Sequence, residues 1–139
     1  MPIGKIEGIV KRNVGTQVYY FGTIMSDKIK NITFVPVIEE SKNTYLLENT
    51  ADGYQRPGSR SRMRQFMNYL KDDPNSVVPP VLISGRDKWR FESASGQELY
   101  GELIIDAPAA IIDGQHRIGG YIALFEDGEE CRPVDFILL

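Results

Sequence analysis

The feature that most restricts this chain is an abrupt change of pattern at Asp113-Gly114. Ahead of it, Ala109-Ala110-Ile111-Ile112 is a short apolar run of the kind that forms a small buried strand. Beyond it, Ile118, Tyr121, Ile122 and Phe125 recur at i, i+3, i+4 and i+7, which predicts a helix over about His116 to Glu126. A strand that breaks at a glycine and turns into a helix gathers unpaired backbone N–H groups and the positive end of a helix dipole in one place. Such a place suits an anion. Gly114 lets backbone approach a phosphate, Arg117 can fork across two of its oxygens, and His116 can add a donor. Gln115 can hydrogen-bond a phosphate, a base edge or a water. Asp113 can cap the helix, hold Mg²⁺ or take a proton from an attacking water. The same residues also suit an ordinary capped helix with exposed polar groups. Gly119-Gly120 weighs against that plainer reading, because each glycine costs a helix about 1 kcal/mol relative to alanine. The pair implies a close neighbour, either a packed strand or a ligand.

Around this centre the pattern is that of an α+β chain. Residues 3 to 10 and 16 to 24 are rich in β-branched and aromatic residues, with Asn13 and Gly15 between them, and predict a hairpin. Asn31 to Ile38 reads as a third strand, placed at an edge or bend by Pro36, and residues 39 to 58 read mostly as loop. Met63, Phe66, Met67 and Leu70 define a helix over Ser59 to Lys71, started by Pro57-Gly58-Ser59 and stopped by Asp73-Pro74-Asn75. Strands follow at Val81 to Ser84, Trp89 to Ser93 and Leu99 to Ile105, separated by turns at Gly85-Arg86-Asp87 and Ala94-Ser95-Gly96-Gln97. Pro133 to Leu139 is a last strand whose apolar end, Phe136-Ile137-Leu138-Leu139, is unusual for a terminus. It means either that this strand is central or, the reading slightly preferred, that the chain is a C-terminally truncated piece of something longer.

A length of 139 residues with 42% hydrophobic content suits one domain with one core. No apolar run approaches the roughly 18 to 20 residues of a membrane span, and a cytoplasmic location is expected. One cysteine, Cys131, and one histidine, His116, supply too few ligands for a zinc centre, so no structural metal is expected. The net charge of -3 conceals a segregation: residues 51 to 90 hold eight Lys/Arg against four Asp/Glu, a local +4, which leaves -7 on the rest. Arg60 and Arg64 fall on one flank of the Ser59 to Lys71 apolar stripe and Arg62 on the other, so they could frame a cleft that binds nucleic acid; equally, they could solvate a helix surface.

Taken together, Ile111-Ile112-Asp113-Gly114-Gln115-His116-Arg117-Ile118-Gly119-Gly120, the upstream Gln55-Arg56 before Ser59, Arg62, Phe66, Tyr69 and Leu70, and Pro79-Pro80 before a short strand resemble the DGQHR-domain family. Its best-known members are DndB-type proteins of DNA phosphorothioate modification systems. The resemblance covers about residues 16 to 139. It implies membership of the wider ParB and sulfiredoxin group, a small mixed sheet with two main helices in which a Gly-x-x-Arg loop holds nucleotide phosphates. Here that loop is Gly114-Gln115-His116-Arg117, and the group's upstream Gln/Arg element falls on Gln55 and Arg56. Sulfiredoxins carry a reactive cysteine where this chain has Gln115, so cysteine-based sulfinic acid repair is not implied.

Three functions are therefore expected in order. The first is a DndB-like regulatory or accessory protein that binds DNA through Arg60, Arg62 and Arg64, under control of a nucleoside triphosphate with Mg²⁺ held by Gln55, Arg56 and Asp113 to Arg117. The second is an NTPase or nuclease-like phosphohydrolase, in which Asp113 and His116 would be catalytic. The third is a non-catalytic module that docks a protein partner, or another copy, through a sheet edge or an exposed terminal strand.

Overall fold

A computed structural model describes residues 1–35, 59–128 and 131–139, with the backbone alone for Ser59 and Arg60. The predicted loop at 39 to 58, the part of the expected third strand from Pro36 to Ile38, and the candidates Gln55 and Arg56 lie outside the described residues. The chain opens with a hairpin, β1 (Gly4–Val14) and β2 (Gln17–Met25), whose closing pair Val14 and Gln17 leaves a two-residue turn. Gly15 takes φ +61° at the first turn position, which a type II′ connection reserves for glycine.

Where a third strand was expected from Asn31, the chain instead forms a one-turn helix, α1 (Ile29–Ile32), and only then a two-residue strand, β3 (Thr33–Phe34). Ile29 and Ile32 are both buried, and the Thr33 hydroxyl donates to the Ile29 carbonyl at 2.8 Å, closing the turn. After α2 (Ser59–Asp72) come β4 (Val81–Ser84), β5 (Trp89–Ala94), β6 (Gln97–Ile105), β7 (Ala109–Asp113), α3 (Gln115–Glu126) and β8 (Pro133–Leu138).

The eight strands of the described residues form one mixed sheet in the order β3-β7-β4-β8-β2-β1-β6-β5. Pairing is antiparallel except at β3·β7 and β4·β8. β8 lies between β4 and β2, so the apolar terminal residues belong to a central strand with both edges used, and it offers no free terminal edge to a partner. The sheet curls until β5 faces β8: the Trp89 ring meets Phe136 edge-on at 6.1 Å although three strands intervene, and Tyr20 stacks on Phe91 at 5.2 Å. Gly22 makes this bend possible, since a Cβ there would fall 2.5 Å from Ile9 Cδ1 and 2.9 Å from Phe136 Cζ.

Ile9, Leu103, Ile105, Val81, Ile83, Phe136 and Leu138 fill the inner face, joined by Ile118, Ile122 and Leu124 of α3. At about 1.5–3 kcal/mol for each large side chain removed from water, this cluster is the main stabilising element. The described residues make a mixed α+β architecture with two longer helices and one single turn. Among the described residues no helix is long and apolar enough to cross a membrane.

Candidate functional site at the start of helix α3

β7 delivers the chain to the site. Asp113 ends the strand with an exposed side chain, and Gly114 follows in the left-handed region at φ +106° as the N-cap of α3. Two constraints require glycine there. The positive φ strains any residue with a Cβ, and that Cβ would lie 2.6 Å from Val81 Cγ1. Val81 therefore packs against the face of Gly114 on which a Cβ would stand. No side chain caps the helix, so Asp113 does not act as its cap. The first helical bond runs from the Ile118 N–H to the Gly114 carbonyl at 2.9 Å, leaving the amides of the preceding turn ahead of the regular ladder.

Arg117 is held rather than loose. Its Nη1 donates to the Pro79 carbonyl at 2.6 Å and lies 3.5 Å from that of Pro80, while Nη2 stands 3.7 Å from Asp113 Oδ2. The Pro79-Pro80 lead into β4 thus supplies acceptors that fix the guanidinium plane across the mouth of the loop. A guanidinium has five N–H donors, and these contacts occupy only part of the fork. His116 and Gln115 are half-buried, and the His116 Nε2 atom is shielded from solvent. One helical turn on, burial pushes the Tyr121 hydroxyl pKa up, helped by the charge of Asp135 and opposed by Arg117 and Arg132.

The close neighbour of the Gly119-Gly120 pair is a helix, neither the strand nor the ligand that the sequence suggests. A Cβ on Gly119 would fall 2.5 Å from Met63 Sδ, and one on Gly120 would fall 2.7 Å from Phe66 Cδ2 and 3.0 Å from the Met63 carbonyl oxygen. Phe66 also meets Tyr121 edge-on at 5.4 Å, and Lys71 reaches Asp127 at 3.9 Å. Met63 against Gly119, Phe66 against Tyr121 and Lys71 against Asp127 keep the same direction, so α2 and α3 run parallel with their amino ends side by side.

This arrangement brings Arg62, Arg64 and Arg117 to one end of the molecule. Arg62 and Arg64 are exposed on either side of buried Met63, and Arg60 lies in the first turn. Arg62 and Arg64 thus flank the face of α2 on which Met63 and Phe66 fill the seam with α3. Neither helix has an acidic residue in its first turn. Glu126 closes α3, which has no basic residue in its last turn, and Asp72 closes α2 beside Lys71. Helix dipoles favour negative charge at the amino end and positive charge at the carboxyl end, by about 0.3–1 kcal/mol each. Most of the charges on this pair are placed the other way.

Two other groupings escaped the sequence, because their members are far apart in it. A groove of about 370 Å³ is lined by Glu7, Glu92, Glu102 and Tyr100 beside the β1 bulge at Gly8. Lys5 and Arg90 already lie within ion-pair distance of these carboxylates. Near the end of β2, Cys131 Sγ donates to Asp27 Oδ1 at 3.2 Å, and the Ser26 hydroxyl lies 3.8 Å from the same sulfur. Among the described residues, no group of three or more His, Cys, Asp or Glu side chains is arranged to hold a metal ion.

Comparison with protein-family models, with curated proteins and with solved structures finds no match to this chain.

Proposed function

We propose that this chain is a DndB-like, DNA-binding regulatory or accessory protein of a DNA modification system, with a nucleotide phosphate held at the start of α3. On this reading the fold is a ParB-like variant. The observation that carries the proposal is the charge reversal at the paired helix ends. Arg60 and Arg62 belong to the first turn of α2 with Arg64 in the next, Arg117 belongs to the first turn of α3, and neither first turn holds an acidic residue, so Asp113, 3.7 Å from Arg117, offsets only part of the positive charge. An anion of two or more charges would relieve that repulsion. Arg117, held in plane by Pro79, could present its remaining N–H groups to a phosphate oxygen. Arg62 and Arg64, being exposed, are then the residues available to a DNA backbone.

Calorimetric titration with ATP, GTP and CTP, with and without Mg²⁺, tests the loop, and Arg117→Ala should abolish any heat. Fluorescence anisotropy with duplex DNA at several salt concentrations tests the arginines. Affinity should fall with a log–log slope of about 0.9 per neutralised phosphate, and the slope should shrink in Arg62→Ala/Arg64→Ala. Salt-independent or absent DNA binding would count against the proposal.

A second reading, phosphohydrolysis by Asp113 and His116, draws support from the exposed Asp113 carboxylate facing Arg117 at 3.7 Å. Two-metal chemistry requires several converging carboxylates, and the described residues bring no such group to the loop. Phosphate release that requires Asp113 and Arg117 but not Arg62 would favour this reading over the first.

A further inference from the structure

Among the described elements, α2 seats chiefly on α3, through Met63, Phe66 and the ion pair from Lys71 to Asp127, and it sends Leu70 into the hydrophobic core with Met67 packed beside it. Its outer face is exposed and polar at Ser61, Arg62, Arg64, Gln65 and Asn68. Packing holds it in place, while electrostatics opposes it in two ways. Parallel helices set like dipole ends together, and the arginines of α2 add positive charge at the end where Arg117 already stands, which the single exposed carboxylate of Asp113, 3.7 Å from Arg117, offsets only in part. Lys71 to Asp127 acts in the opposite sense, but at 3.9 Å with Asp127 half exposed it contributes little.

From this we infer that α2 is a latch, released from α3 more readily than the sheet unfolds, and that it is tightened by ions which neutralise its amino end. Most helices pinned by surface ion pairs loosen as salt rises. This one should do the reverse, because screening removes more repulsion than attraction. Release would uncover the Gly119-Gly120-Tyr121 strip of α3. The salt response stands without the proposed function; that a bound phosphate would do the same at far lower concentration rests on that reading.

Native-state hydrogen exchange of the full chain, resolved by amide, tests both parts. Between about 10 mM and about 500 mM NaCl, where the screening length falls from roughly 30 Å to a few ångströms, protection of the α2 amides should rise roughly three- to tenfold. Amides of β2 and β8 should change much less. Arg62→Gln/Arg64→Gln should raise α2 protection at low salt and flatten its salt response, without touching the packed face. If α2 protection falls with salt, or always equals that of β2 and β8, the latch is refuted. ATP added at constant ionic strength separates the two ideas: α2 protection rising with NaCl but not with ATP keeps the latch and removes the phosphate site.

Discussion

The sharpest test of the α2–α3 seam is Gly120→Ala. In an exposed helix this change stabilises by about 1 kcal/mol, because alanine has the better helix propensity. Here the new methyl would meet Phe66 Cδ2 at 2.7 Å, Phe66 Cβ at 3.1 Å and the Met63 carbonyl oxygen at 3.0 Å. The carbonyl belongs to the backbone of α2 and cannot turn aside, so the helix itself must shift. Overpacking of this kind costs about 1–3 kcal/mol. Set against the propensity gain, the net loss should be about 1 kcal/mol, or a few degrees in Tm for a domain of this size.

Gly119→Ala is the internal control. The three atoms nearest its methyl would all be Met63 side-chain atoms, at 2.5–2.8 Å, and a flexible thioether can move. It should therefore cost less than Gly120→Ala. Urea unfolding followed by circular dichroism supplies the free energies, and a cycle with Phe66→Ala isolates the clash, since Gly120→Ala should be less harmful once the ring is gone. If Gly120→Ala raises stability by the full propensity gain, then α2 does not sit on this glycine as described, and both the parallel seam and the latch lose their basis.

Other expectations follow from single contacts. Arg86 and Asp87 occupy the left-handed region at φ 49° and 69°, between a Gly85 carbonyl and a Lys88 N–H that bond at 2.9 Å. Asp87→Gly should stabilise by about 0.5 kcal/mol in chemical denaturation, because aspartate pays only part of the usual left-handed penalty. The hydrogen bond and charge of Arg90 hold the Asp106 carboxyl below its ordinary pKa. Its contribution to stability is present above the unfolded aspartate value and is lost as pH falls through the lower folded value, below about pH 4. Carbon-detected NMR titration should show that depression, and Arg90→Gln should remove it. Trp89→Phe deletes the indole donation to the Ala107 carbonyl at 2.8 Å and should cost about 1–2 kcal/mol, read from the urea midpoint.

The parts of this molecule visible in the sequence are those whose periodicity is long enough to declare itself. The apolar spacing of Met63, Phe66, Met67 and Leu70 places α2 within a residue of its observed end, and the Asp113-Gly114 break places the start of α3. The hairpin is equally clear, because Gly15 marks its turn. A single helical turn is not: over four residues, Ile29 and Ile32 at i and i+3 cannot be told from an irregular strand, so α1 was absorbed into an expected third strand. The meaning of Gly119-Gly120 was half legible. Composition shows that something lies close, but only the fold shows that it is Met63 and Phe66. The bond from Arg117 to Pro79 spans 38 residues and joins a side chain to a backbone carbonyl, so no residue pattern announces it. For the same reason, parallel α2 and α3, and with them the grouping of positive ends, had no signature.

One topological fact has a cost during biosynthesis. The strips β3-β7-β4 and β2-β1-β6-β5 are each complete before β8 emerges, and within the sheet β8 alone stitches them together. Until β8 leaves the ribosome, the facing borders of β4 and β2 are open to any passing strand. Nascent chains of this protein should depend on chaperones at that stage, and stalling before Pro133 should yield aggregates sooner than a stable half-barrel.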